Sequence, residues 1–133
     1  MGNKEFDQFM VREELSIEEI ENLVTSYADF DLEEGSMSLR EEFYEAETRI
    51  QLLVPLLVLR AFEQDGKADS AAIGPVDLAE LTDNSVGEAY PVIRELEQAG
   101  ILENVGKEYR VVPDKPDQIH TEFNSDTQAE VAH

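Results

Sequence analysis

Eight apolar residues in a row, Leu52-Leu53-Val54-Pro55-Leu56-Leu57-Val58-Leu59, interrupt a chain in which 31% of residues are charged. The run is far shorter than the roughly 18–20 residues that a membrane span needs. It extends a helical spacing set by Leu39, Phe43, Ala46, Ile50, Leu53, Leu57 and Phe62. A helix that is apolar nearly all round is covered on several sides, so the other elements must be arranged to bury it. Pro55 removes one backbone hydrogen bond and crowds the preceding turn, which predicts a kink or break near Gln51 to Val54. Gly66, after Asp65, is the expected stop. A chain of 133 residues at 41% apolar content is one modest domain able to bury a core.

Upstream, Ser16-Ile17-Glu18-Glu19 has the form of a capping box, and Ile17, Ile20, Leu23, Val24, Tyr27 and Phe30 follow at helical spacing. A helix over about 16–30 is expected, preceded by a short helix within 1–13 and broken by Asp31 to Gly35. A second box, Ser38-Leu39-Arg40-Glu41, is read as opening the long apolar helix. Downstream, Ala71-Ala72-Ile73 can form a short strand, Pro75 suits a first helical turn, and a short helix runs to about Thr82. Asp83-Asn84 is a turn. Ser85-Val86-Gly87-Glu88 is a third capping box, opening a helix with Val86, Tyr90, Ile93 and Leu96 on one face and Gly100 as its stop. Residues 101–105 and 108–112, joined by Gly106-Lys107, read as a hairpin. Pro113, Pro116 and the polar residues beyond them read as a mobile tail without an apolar stripe.

The formal charge is −21, from 31 acidic and 10 basic residues, and acid is spread along the whole chain rather than gathered in a block. Only four of the basic residues are lysine. This even, lysine-poor coat resembles that of proteins from salt-loving archaea, where molar salt shortens the Debye length to ~3 Å and suppresses self-repulsion. An ordinary acidic protein and a nucleic-acid mimic are the rival readings. The charged residues between Met1 and Met10 do not form a signal peptide, so a soluble, cytoplasmic protein is expected.

The order helix, short strand, short helix, turn, second helix, glycine stop and hairpin is that of a winged helix-turn-helix, in which the second helix enters the major groove and the hairpin lies beside the backbone. The expected architecture is mainly α with a small β-hairpin. It divides into an N-terminal helical extension (1–37), the winged helix-turn-helix (38–112) and a polar acidic tail (113–133). The stretch Gly87-Glu88-Ala89-Tyr90-Pro91-Val92-Ile93-Arg94-Glu95-Leu96-Glu97-Gln98-Ala99-Gly100-Ile101-Leu102-Glu103 resembles the recognition-helix signature of PadR-like transcriptional regulators. Its Tyr-Pro pair is the more telling part, because a proline inside a helix costs ~3 kcal/mol.

The resemblance covers about 50–112 and implies a regulator that binds double-stranded DNA as a homodimer. It places Tyr90 against the DNA backbone and Arg94 toward DNA, with Lys107 and Arg110 as the basic wing. Glu88 stands where the family carries threonine, and the family's C-terminal dimerisation helix has no counterpart in the pattern of the tail.

Each residue also has a simpler role. Asn84 and Ser85 suit a turn and an N-cap as well as contacts to DNA, and Glu88 either repels phosphate or closes the capping box. Tyr90 can be a half-buried core residue with an exposed hydroxyl. Arg94 can pair with Glu97 or Gln98, and Lys107 can be a solvated turn residue. The stripe Ile17, Ile20, Leu23, Val24, Tyr27 and Phe30 is read as a dimer interface, with packing inside one chain as the alternative. A winged-helix adaptor that binds a protein partner rather than DNA is the competing function.

Enzymatic and metal chemistry find little support. His120 and His133 are the two histidines, and cysteine is absent, so a histidine triad or a zinc cluster has no placement. The segment from Asp29 has Glu34 where a calcium loop needs glycine and Arg40 where it needs a bidentate acid. No cofactor is expected.

Overall fold

A computed structural model describes residues 15–112 and 114–131, so the short helix expected within 1–13 lies outside the described residues. Six helices and two antiparallel hairpins occur among the described residues. Helix α1 (Ile17–Val24) begins with the expected reciprocal box: the Ser16 hydroxyl accepts from the Glu19 amide, and Glu19 accepts from the Ser16 amide. It ends well short of Phe30. Residues Ala28–Asp31 instead form strand β1, paired with β2 (Ser36–Leu39). The reason lies in the turn between them. The Asp31 carboxylate accepts from the amides of Glu33 and Glu34, and Gly35 at φ 66° closes the loop back to the Asp31 carbonyl. The three-residue spacing of Tyr27 and Phe30 could not separate a last helical turn from the start of a strand.

The second expected capping box does not form, because Ser38 lies within β2, opposite Asp29. Helix α2 (Glu41–Glu45) follows Arg40 without a side-chain cap. Extended backbone at Ala46 separates it from α3 (Thr48–Gln64), so the single long helix expected from Ser38 is a strand and two helices. Gln51 fixes that break by donating from Nε2 to the Phe43 carbonyl at 3.0 Å.

Helix α3 carries the apolar run and is continuous through Pro55, so of the kink or break expected there the break does not occur. Every residue from Ile50 to Val58 is buried, and this packing outweighs the loss of one helical hydrogen bond. Its C-terminus is a Schellman closure: Gly66, at φ 79°, donates to the Glu63 carbonyl and Lys67 to that of Phe62.

Helix α4 (Pro75–Leu81) starts on its proline and buries Leu78 and Ala79. The turn through Asp83, at φ 59°, leads to α5 (Val86–Gln98) and then to the hairpin of β3 (Leu102–Val105) and β4 (Glu108–Val111). Gly106 and Lys107 both have positive φ, the backbone of a type I′ turn. Ile73 and Tyr109 exchange backbone hydrogen bonds of 2.9 and 2.8 Å, which fastens the segment before α4 to the hairpin.

The buried face of α5 is Ala89, Ile93 and Leu96, not the expected line through Val86 and Tyr90. At 100° per residue, Val86 and Tyr90 lie rotated away from that face, and the small Ala89 lets the helix approach its neighbours there.

The tail reading is corrected too. Residues Pro116–Val131 form helix α6, with Ile119 and Phe123 buried four residues apart. Two apolar residues on adjacent turns are too few to register as a stripe, yet they suffice to dock a helix. The stripe read as a dimer interface is likewise occupied within the chain. Ile20, Val24 and Tyr27 are buried, while Ile17, Leu23 and Phe30 are partly buried against the same core. Tyr27 meets Phe123 at 6.0 Å and Phe30 meets Phe62 at 6.0 Å between ring centroids. One apolar cluster therefore runs from Leu15 to Phe123 around α3. No helix among the described residues is long and apolar enough to cross a membrane.

Candidate functional site

The outer face of α5 carries Val86, Tyr90 and Arg94 at four-residue intervals, which stacks them along one side of the helix. Val86 is 43% exposed and Tyr90 39%. The Arg94 guanidinium carbon lies 5.9 Å from the centroid of the Tyr90 ring, a cation–π contact. Arg40, Arg49, Arg60 and Arg110 each hold a carboxylate, from Asp29, from Glu47 and Glu122, from Glu63 and from Glu103 respectively. Arg94 has no carboxylate within ion-pair distance among the described residues, so the surface pair that Glu97 could have offered does not form.

The Tyr90 side chain lies near enough to Tyr109 of β4 to influence its titration. Tyr109 is buried. A hydrogen bond with the Asn104 side chain favours its ionised form, but burial, the Tyr90 hydroxyl and the Glu97 carboxylate outweigh that and hold the phenol above the ordinary tyrosine value of 10.0. Tyr109, with Asn104 opposite it on β3, thus stands near Tyr90. Neither stood out in the sequence, where alternation along a four-residue strand is the only signal for an inward tyrosine.

At the start of α5 the Ser85 hydroxyl accepts from the Glu88 amide, and the Glu88 carboxylate accepts from the Ser85 amide and hydroxyl. The backbone amide of Ser85, and then its hydroxyl, hold the Glu88 carboxyl below its ordinary value of 4.5. Glu88 is therefore ionised at neutral pH and occupies the Ser85 amide, one of the donors that an incoming anion could use.

Asn84 faces inward. Its Nδ2 donates to Gln51 Oε1 at 3.0 Å and to Thr82 Oγ1 at 3.0 Å, which ties the turn between α4 and α5 to the buried Gln51 of α3. Gln51 was not anticipated either, since a single polar residue beside an apolar run reads as a surface position. On the hairpin, Arg110 is drawn to Glu103, its cross-strand neighbour, at 2.7 Å. Lys107 remains exposed at the tip.

Of the seven residues expected to meet DNA, the structure thus leaves Tyr90, Arg94 and Lys107 outward with side chains not committed to an ion pair. It commits Asn84, Ser85, Glu88 and Arg110 to contacts within the chain. The surroundings are acidic: residues 75–112 hold eight acidic and three basic residues. Among the described residues no group of histidine and carboxylate side chains is arranged to hold a metal ion. No family model matches this chain, and no curated protein or solved structure matches it either.

Proposed function

We propose that residues 38–112 form a winged helix-turn-helix of the PadR-like type and that the protein is a sequence-specific, DNA-binding transcriptional regulator adapted to concentrated salt. The order of α4, turn, α5 and hairpin supports this reading, as does the backbone pairing of Ile73 with Tyr109 that anchors the hairpin beside α5.

The observation that carries it is Arg94. In a chain with 31 acidic residues, this arginine is kept from carboxylates and held over an exposed tyrosine on the outward face of the second helix. An arginine so positioned suits the bidentate contact to guanine that is the commonest specific contact in the major groove. Acidity does not oppose such contact in molar salt, where repulsion between the protein and phosphate is screened within ~3 Å. A homodimer would need a face other than α1 and β1, since the stripe expected to form it lies in the chain's own core.

The test is an anisotropy titration in molar potassium chloride against duplex from upstream of the protein's own gene, with Arg94→Ala alongside. Saturable binding by the native chain, weakened on the order of tenfold or more by Arg94→Ala, is the expected result. Absence of binding at every salt concentration would leave the adaptor reading, which the exposed apolar Val86 and Tyr90 amid acidic neighbours also suit.

A further inference from the structure

The polar groups through which such a helix usually grips phosphate are largely engaged elsewhere. The Asn84 amide donates to Gln51 and Thr82. The Ser85 amide and hydroxyl donate to the Glu88 carboxylate, the Glu88 amide donates to the Ser85 hydroxyl, and Arg110 is paired with Glu103. Of the three cations in 75–112, Arg94 and Lys107 alone lack a carboxylate partner among the described residues. What α5 presents instead is apolar: Val86 and Tyr90 stand out from the helix, and Gly87, next to Val86, adds no side chain to obscure them. In the major groove the one apolar group on a base edge is the C5-methyl of thymine.

Building on the DNA-binding reading above, we infer that α5 reads thymine methyl groups through Val86 and the ring of Tyr90, with Arg94 as its charged base contact, and that base edges rather than phosphates supply most of the affinity. Val86 and Arg94 are eight residues apart, which spans ~12 Å of helix at 1.5 Å per residue. That length corresponds to about four base pairs at 3.4 Å. The recognised half-site therefore holds thymine and guanine within about four base pairs of each other. Affinity also depends weakly on salt, because two unpaired cations release few counterions: the slope of log K against log [KCl] is no steeper than about −2 per protomer.

The experiment enriches random duplexes on the full chain in molar potassium chloride. The winner is then titrated across a salt series with each thymine replaced in turn by deoxyuracil, which removes the methyl and leaves the protein unaltered. Replacement at one or two positions lowers affinity about three- to fourfold, the effect of one buried methyl-sized group. Val86→Ala removes the sensitivity at one of those positions, while Arg94→Ala relaxes the preference for guanine and leaves the deoxyuracil effect in place. An enriched duplex indifferent to every deoxyuracil replacement, or a slope of −4 or steeper per protomer, overturns the inference while the DNA-binding reading stands. Failure to enrich any duplex overturns both.

Discussion

Gln51 joins three elements that would otherwise meet only through apolar contact. Its amide nitrogen serves the Phe43 carbonyl at the break between α2 and α3, and its oxygen receives the Asn84 amide from the turn before α5. Replacing Gln51 removes both hydrogen bonds, each worth about 0.5–1.5 kcal/mol, while the Phe43 carbonyl keeps the Ala46 amide and the Asn84 amide keeps Thr82. Gln51→Leu, which preserves volume, is expected to lower stability by about 1–3 kcal/mol, measured as the midpoint of chemical unfolding. Loss of a simple apolar contact would not follow that pattern, since leucine restores the packing. Glu88 makes a different, pH-dependent contribution. Its folded pKa is depressed, so the stability it adds is present above the ordinary value of 4.5 and is lost as pH falls through the lower folded value. Thermal melts of native chain and Glu88→Gln should therefore converge in acid below that window and separate above it, with the native chain the more stable.

At the scale of elements, chain reversals are set by backbone at positive φ. Gly100 at φ 82° ends α5, donating to the Glu97 carbonyl while Ile101 donates to that of Leu96. Lys107 occupies the same region at φ 77°, at the hairpin tip. A side chain in that conformation costs about 1–2 kcal/mol. Gly100→Ala should therefore destabilise by about that amount, although nothing lies within 4 Å to clash with the added carbon. Lys107→Gly should stabilise by about 1 kcal/mol, and unfolding midpoints of the two variants will move in opposite directions. These reversals were legible in the sequence, because glycine and a serine-to-glutamate box act locally, and so were α4, α5 and the hairpin. The region 25–47 was not. There, Tyr27 and Phe30 fit both helix and strand, and Ser38 to Glu41 has a cap's composition, while the outcome is decided by the Asp31 turn and by Gln51, eight residues beyond Phe43. At the candidate site, the outward placement of Arg94 was legible, but the engagement of Asn84 and Arg110 was not. Both depend on partners, Gln51 and Glu103, that only the folded chain brings near.

For the whole molecule, two kinds of force hold α6 on the core, and salt separates them. Ile119 and Phe123 are buried, Phe123 against Tyr27, while Arg49 of α3 reaches Glu122 at 2.6 Å and His120 lies 3.6 Å from Glu19. Apolar burial does not weaken as salt rises, and excluded salts strengthen it. Partly exposed ion pairs are screened. The remaining term is the −21 charge itself, whose self-repulsion favours the expanded chain at low ionic strength. Melting temperature of the native chain should accordingly climb as potassium chloride is raised from about 0.1 M toward molar concentrations, over which the Debye length falls from ~10 to ~3 Å. Phe123→Ala should lower the melting temperature by on the order of 10 °C at every salt concentration, since it removes about 3 kcal/mol or more of packing. Arg49→Met, which keeps the aliphatic stem, should cost stability mainly at low salt, the difference from the native chain shrinking as chloride is added. Parallel loss of both variants across the salt series would mean that α6 is held by one kind of force rather than two. A native chain that melted lower in concentrated salt would show that its acid coat is not balanced for screening, and with that the physical basis for binding DNA in molar salt would be gone.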